Sequence, residues 1–461
     1  MDYDLAIVGS GSAGFAAAIA ARRRGLRVVM AEQGTLGGTC VNVGCIPSKA
    51  LLAAAEARRV AAEARFPGIR TEARPTDAAA LVAGKDELVG ELRREKYEDL
   101  VEAYGFELRR GRARFVAGPT LEIEGERVEA AHYLVATGAA PFVPPVPGLD
   151  TVEYLTSTSA LALSALPGSL VVVGGNAVGL ELGQAFSRLG VEVTVLEALD
   201  RLAPAEEPEL SAVLAEALAS EGIRVETGAE VAEVGRAGDG VRVRTRDGRE
   251  VRADALLMAT GRRPRSAELG LPEVGVALGP RGEVPVDGRL RSAHPRIWAA
   301  GDVTGGPQYV YLAAAQGTAM VENAFDGGEH PLDLATLPRV TFTSPALASV
   351  GLTDAQAAAA GIPCRCRVLP LDAVPRAIVA RDTRGVVKVV AEAGSGRVLG
   401  VHVAAAQAGE VILAATYALR AGMAVDDLAG TWAPYLTMGE ALKLAAQSFR
   451  TDVRQLSCCA A

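Results

Sequence analysis

One arrangement occurs twice in this chain and limits its fold more than any other: an apolar run, a glycine turn, a helix, a second apolar run and an acid. The first copy passes from Leu5–Val8 through Gly9-Ser10-Gly11-Ser12-Ala13-Gly14 and the alanine-rich Phe15–Arg24 to Arg27–Ala31, ending at Glu32. The second passes from Leu170–Val173 through Gly174-Gly175-Asn176-Ala177-Val178-Gly179 and a helix to Leu189, then Val191–Leu196, ending at Glu197. Short apolar runs without alternation predict strands buried on both faces, as in a parallel sheet. The first glycine of such a turn permits the tight bend, the second lets a pyrophosphate approach the backbone, and the third lets the helix pack on the strand. The helix N-terminus then faces the phosphates, and the acid about 20 residues on is placed for a ribose hydroxyl. Two dinucleotide sites in an α/β fold are therefore predicted. Gly9, Gly11, Ser12, Ala13, Gly14 and Glu32 serve the first; Gly174, Asn176, Gly179 and Glu197 serve the second. Asn176 stands where the middle glycine would be, and because Asn tolerates left-handed backbone, a strained turn is expected there. Glu197 favours NADH, while Arg201 close by leaves NADPH open.

Directly after the first unit comes Gly37-Gly38-Thr39-Cys40-Val41-Asn42-Val43-Gly44-Cys45-Ile46-Pro47-Ser48-Lys49. Cysteines five apart with Gly44 between them fit a bent loop whose sulfurs can meet as the chain turns into a helix near Pro47. The helix N-terminus and the charge of Lys49 both favour thiolate at Cys45. A structural zinc site wants about four ligands, and the chain has only 4 histidines, none near these cysteines in sequence. A structural disulfide is the other alternative, but such bonds are seldom kept in the cytosol. A working dithiol is the reading preferred. Two nucleotide sites and a dithiol together suggest an electron relay from nicotinamide to flavin to sulfur, in which the protein positions the cofactors.

The chain has 461 residues, enough for about three domains, with 49% hydrophobic and 22% charged residues. A net charge of −8 offers no basic stripe for nucleic acid or an anionic membrane surface. No apolar run reaches the roughly 20 residues of a spanning helix, and Met1 leads into the first strand without a basic n-region, so a cytoplasmic location is expected. Ala50–Arg65 and Asp77–Tyr104 predict helices, and Phe106–Val128 predicts small strands. Tyr97 and His132 are expected to be a packed aromatic and a surface histidine. His132–Ala136 ends in Thr137-Gly138, Leu256–Ala259 precedes Thr260-Gly261, and Ile297–Ala300 precedes Gly301-Asp302. These look like further edges of a cofactor site, with Thr137, Gly138, Gly261, Asp302, Gly38 and Thr39 as contacts. The proline-rich Pro141–Gly148 reads as a domain boundary, and from Pro338 onward the pattern becomes a separate mixed domain. The expected boundaries are 1–148, 149–268, 269–336 and 337–461. Cys364 and Cys366, two apart on a strand, face one side and are read as packing residues. The adjacent Cys458 and Cys459 close the chain, where a mobile dithiol would capture a soft ion.

Cys40-Val41-Asn42-Val43-Gly44-Cys45-Ile46-Pro47-Ser48-Lys49 resembles the redox-active signature of the pyridine nucleotide–disulfide oxidoreductase family, a likeness that covers essentially the whole chain. The resemblance implies an FAD domain interrupted by an NAD(P) domain, both Rossmann-like, then an α+β interface domain, working as a homodimer with shared active sites. It implies Cys45 against the flavin, Cys40 as the interchange thiol, and Lys49 near the flavin, paired with Glu181. Family members acting on dithiols carry a histidine base five residues before a glutamate; here Glu440 is present and Tyr435 occupies the histidine position. A phenol with a pKa of about 10 is a poor proton acceptor. Tyr435 with Glu440, Tyr154 and the terminal Cys458-Cys459 pair are together similar to the mercury-reducing branch of the family. The function so implied is NAD(P)H-dependent reduction of Hg(II), carried on small thiols, with Cys40, Cys45, Cys458 and Cys459 as successive ligands. Ahead of the core no Cys-x-x-Cys domain stands, so delivery is expected through the tail or a small carrier. The rival expectations are a lipoamide dehydrogenase lacking its histidine, a quinone or small-disulfide reductase, and a thiol protein that only sequesters metal.

Overall fold

In the computed structural model residues 1–456 are described. The first sheet is parallel and five-stranded, in the order Ile297–Ala299, Ala130–Val135, Tyr3–Val8, Val28–Glu32, Glu107–Arg110. Leu5, Ala6 and Ile7 are consecutive and all fully buried, which is why this strand is apolar without alternation. On one face lie the helices Ser12–Arg23 and Val310–Phe325. They pack so closely that a Cβ on Gly317 would stand 2.1 Å from the Ala13 carbonyl oxygen. The other face is covered by the antiparallel strands Ala113–Val116, Thr120–Ile123 and Glu126–Val128.

A second parallel sheet repeats the scheme, in the order Arg224–Glu226, Glu192–Leu196, Ser169–Val173, Ala255–Met258. Ala177–Arg188 and Pro208–Ser220 cover one face, and the antiparallel strands Val231–Ala237, Gly240–Thr245 and Glu250–Ala253 cover the other. Because Ile297–Ala299 returns to the first sheet, the second unit is inserted between two of that sheet's strands. The two crossings of the chain, Ala139–Pro141 and Arg262–Pro264, run antiparallel side by side.

The third sheet is antiparallel, in the order Arg339–Thr341, Ala346–Gly351, Val398–Ala405, Val386–Glu392, Cys364–Pro370. Ala408–Arg420 and Glu440–Gln447 pack on one face, with Val387, Val389, Val401 and Val403 fully buried beneath them. Truncating any of these valines would cost roughly 1–4 kcal/mol through lost burial and the cavity left behind.

Four expectations change. The loop expected between the cysteines is mostly helical: Cys40 lies on a short helix, Gly38–Val43, and after Gly44 the expected helix near Pro47 begins at Cys45. Gly44 makes the break because a side chain there would meet Thr39 O at 2.9 Å and Cys40 Cα at 3.3 Å. Asp77–Tyr104 is not one regular helix; a π turn at Arg94–Glu98 separates Ala78–Arg93 from Asp99–Tyr104. Asn176 is not left-handed: its φ of −115° and ψ of −176° are extended, and its side chain caps the helix by accepting from Ala177 N–H. The positive φ falls on Gly174 instead. His132 is half-buried rather than on the surface, edge-on to Trp298 and Phe325, and accepts the Trp298 indole N–H at 3.2 Å. Tyr97 packs edge-on against Phe15, as expected of a packed aromatic.

Candidate active site

Placing Cys45 at the first position of its helix turns its sulfur toward Cys40 on the preceding turn, and both cysteines are free thiols. The Cys40 thiol donates to the Cys45 sulfur, and this bond, with the charge of Lys49 and the helix's first N–H, lowers Cys45 to about 7. The same bond and burial push Cys40 far up, so it keeps its proton. Of the pair, Cys45 is therefore the one that ionises first.

Lys49, one turn further along the same helix, reaches Glu181 at 2.6 Å. Glu181 sits on Ala177–Arg188 in the second unit, and its other oxygen accepts the Phe342 N–H at 2.9 Å from the third sheet's first strand region. The Lys49 ammonium also lies 4.5 Å from the centre of the Phe342 ring. One buried carboxylate thus ties the three parts of the fold together beside the dithiol. Breaking such a pair from one side leaves a charge uncompensated, which is strongly destabilising.

The first glycine turn opens on a cavity of about 500 Å³ lined by Gly9, Gly11, Glu32, Gly38, Thr39, Thr137 and Gly138 among others. Its glycines are of two kinds. At Gly9, with φ +103°, a Cβ would lie 2.5 Å from Ala136 O, and at Gly14 it would lie 2.2 Å from Gly9 O. At Gly11 and Gly138 a Cβ would meet nothing within 4 Å. Protein packing does not account for a bare backbone at Gly11; space held open there for a phosphate group does. Ser12 and Ala13 open the helix behind this turn, and both present N–H groups of its first turn. Glu32 accepts Ser10 N–H at 3.0 Å, Ser10 O–H at 2.6 Å and Gly34 N–H at 2.6 Å, which secures the turn before any ligand arrives. Asp302 opens a short helical turn after the strand Ile297–Ala299; burial raises its carboxyl, opposed by Arg262. Thr137 donates to Arg265 O at 2.6 Å. Thr137 and Arg265, at the two crossings of the chain, stand in the wall of the cavity, whose bare backbone and N–H groups fit a nucleotide.

In the second turn a Cβ on Gly174 would lie 2.4 Å from Ala259 O and one on Gly179 would lie 2.0 Å from Gly174 O. Glu197 is buried and accepts Gly175 N–H at 2.6 Å and Leu199 N–H at 2.8 Å. The Arg201 guanidinium donates to Pro204 O at 2.7 Å. Gly261, with φ +117°, has open space where a side chain would be.

Tyr154, about two-fifths exposed, immediately precedes the bridge Leu155↔Leu257 on the second sheet. Tyr435, about half exposed, precedes Leu436, whose φ is +60° and whose N–H is accepted by buried Glu440 at 3.3 Å. Tyr435 and Glu440 belong to the third domain, whose core takes in Ala441 and Leu442. Cys458 and Cys459 lie outside the described residues. Reading the sequence misses Phe342, whose link to Glu181 spans 161 positions, and Asn42, which donates to Leu36 O and Gly38 O at 2.8 Å and holds the cysteine turn together. The place of Asn42 between the cysteines is a signal that could have found it; nothing local points to Phe342.

Comparison with known proteins agrees with this arrangement. The sequence model of pyridine nucleotide-disulphide oxidoreductases matches residues 3–317, and that of their dimerisation domain matches residues 337–446. The chain is 58% identical to a mercuric reductase of Streptomyces lividans, over 99% of this chain and 98% of that protein. It is 48% identical to a mercuric reductase of Bacillus cereus, over 100% of this chain and 73% of that protein. Among solved structures, the HOCl-induced flavoprotein disulfide reductase RclA from Escherichia coli is similar, with a TM-score of 0.87 and 31% identity over 96% of this chain and 99% of that one. LpdA from Mycobacterium tuberculosis has a TM-score of 0.88 and 30% identity over 97% of this chain and 100% of that one. With two glycine turns, a dithiol between them and both family regions matched, this chain belongs to the pyridine nucleotide–disulphide oxidoreductase family.

Proposed function

We propose that this protein is a mercuric reductase, passing two electrons from NAD(P)H to Hg(II) and releasing Hg(0). Membership of the family implies a flavin and a pyridine nucleotide; we assign these as FAD at the first glycine turn and NADH or NADPH at the second. When bound, they supply the hydride chemistry and the two electrons. The net reaction balances as NAD(P)H with Hg(II) giving NAD(P)⁺, H⁺ and Hg(0). The domains are assigned as 1–148 and 269–336 for the flavin, 149–268 for the nicotinamide and 337–461 for the interface, in a cytoplasmic homodimer. No helix among the described residues is long and apolar enough to cross a membrane.

The protein's own part is to hold a two-coordinate ion on sulfur. The incoming ion meets Cys40, the interchange thiol, first: one carrier ligand leaves with the Cys40 proton. Cys45 as thiolate then displaces the second, so that the ion is never without sulfur. Lys49, fixed by Glu181, keeps positive charge beside Cys45 through both exchanges. Cys458 and Cys459 of the partner subunit deliver the ion, with Tyr154 and Tyr435 lining its route and Glu440 holding the turn that carries Tyr435. A phenol at Tyr435 suits this transfer because no proton has to be removed from the substrate there.

The observation that carries this reading is the Cys40–Cys45 pair beside the Lys49–Glu181 bridge, in a chain whose relatives are named mercuric reductases. Acceptor preference tests it. With NADH or NADPH as donor, thiol-bound Hg(II) is expected to support turnover, and Cys40→Ala to abolish it even with excess small thiol. Brisk turnover of dihydrolipoamide, or of quinones with mercury absent, would instead favour a rival function.

A further inference from the structure

Outside this site two more thiols stand side by side. Cys364 and Cys366 lie on Cys364–Pro370, an edge strand of the third sheet, opposite Glu392 and Val390 of the neighbouring strand. Both face the side away from Phe449, on which Arg365 and Arg367 lie, and both pack against the small cluster of Ala357, Val390 and Leu399. They remain partly exposed and free, and the two side chains are within hydrogen-bonding reach of each other.

Geometry decides what such a pair can do. Residues two apart on a strand have Cβ atoms about 6.6 Å apart, well beyond the roughly 3.5–4.5 Å that a disulfide needs. Two metal–thiolate bonds of about 2.3 Å laid end to end span about 4.6 Å, which side chains leaning toward each other can bridge. The strand therefore opposes oxidation of the pair and permits chelation. Among the described residues no group of three or more His, Cys, Asp and Glu is placed to hold a metal, so tetrahedral zinc has no ligand set here. A soft ion content with two sulfurs does.

We propose that Cys364 and Cys366 form a second mercury-binding dithiol, which chelates Hg(II) along the edge strand of the interface domain and holds it without reduction. Binding is ligand exchange: two sulfur–mercury bonds form, two bonds to the carrier thiols break, and the cysteine protons leave with those carriers. No electron moves. Burial and the neighbouring thiol push Cys366 up, and the nearby Lys388 ammonium is already held by Glu207, Glu209 and Asp354, so Cys366 holds its proton until a metal displaces it. The choice of Hg(II) as the ion rests on the function proposed above; the chelating geometry does not.

The test uses full-length flavin-loaded protein in which Cys40, Cys45, Cys458 and Cys459 are all changed to Ser. It is mixed with HgCl₂ and excess 2-mercaptoethanol, desalted, and assayed for mercury per chain. One equivalent is expected to remain, and to be lost when Cys364→Ala and Cys366→Ala are added. Either single change should weaken retention by on the order of 100-fold, the usual gain from tethering two ligands. If the four-serine protein retains no more mercury than the six-fold variant, the proposal is overturned; equal retention of Zn(II) would overturn the two-coordinate assignment. Should the six-fold variant fail to fold, wild-type protein blocked at its other thiols and footprinted by mass spectrometry must show Hg(II) protecting both Cys364 and Cys366, and absence of protection is equally decisive. Mercury retained by a protein whose wild type yields no vapour would refute the reductase reading alone, whereas vapour without retention would refute this site alone.

Discussion

The turns at Gly9–Gly14 and Gly174–Gly179 obey the same steric rules at their first and last glycines and differ in the middle. In both, the first glycine abuts a carbonyl of the neighbouring strand's end and the last abuts the first, with hypothetical Cβ distances of 2.0–2.5 Å throughout. In both, the acid closing the second strand accepts a backbone N–H of the turn, Ser10 for Glu32 and Gly175 for Glu197. The middle position is free of such constraint: Gly11 leaves open space, and Asn176 puts a helix cap there. The first and last glycines of each turn thus belong to the fold, as does Gly175, where a Cβ would lie 2.7 Å from Leu202; only Gly11 is left to answer to a ligand. The bare turn opens on a 500 Å³ cavity; the other carries a helix-capping side chain at the same position.

The sharpest way to break this comparison is Gly11→Val. A Cβ there meets no protein atom within 4 Å and the side chain would enter ligand space, so flavin retention is expected to fall by roughly 100-fold or more, equivalent to about 2.7 kcal/mol. The unloaded protein should melt nearly as wild type does. An apoprotein that unfolds readily would show that Gly11 is structural after all. Next in size, Gly14→Val and Gly179→Val should each destabilise their own unit by about 1–3 kcal/mol through overpacking, measured by denaturant unfolding followed by proteolysis of each domain. If only one does so, the two turns are not sterically equivalent. Smallest is Asn176→Ala, expected to cost about 1 kcal/mol of helix capping in the second unit while leaving flavin content unchanged. A loss of flavin on that change would contradict the separation of roles.

Both parallel sheets are legible in the amino-acid sequence, because apolar runs, glycine spacing and terminal acids are local signals. Cys40 and Cys45 are legible for the same reason. Their detailed setting is not, since the space beside Gly44 is too tight for a Cβ, which would lie 2.9 Å from Thr39 O, and the extended backbone of Asn176 goes with the cap it makes. The acids are legible by half: position assigns Glu32 and Glu197 to ribose, yet both already hold turn N–H groups, a role that only tertiary contact reveals. Glu181 follows from family resemblance, but its second partner, Phe342, belongs to a distant sheet and leaves no trace in the local sequence.

Anaerobic mixing of the purified dimer with limiting NADH or NADPH and thiol-bound Hg(II), with vapour trapped and counted, tests the central claim most directly. The expected result is one Hg(0) released for each nicotinamide oxidised, and none from Cys40→Ala. Nicotinamide oxidised without vapour, or vapour unaffected by loss of Cys40, would contradict it.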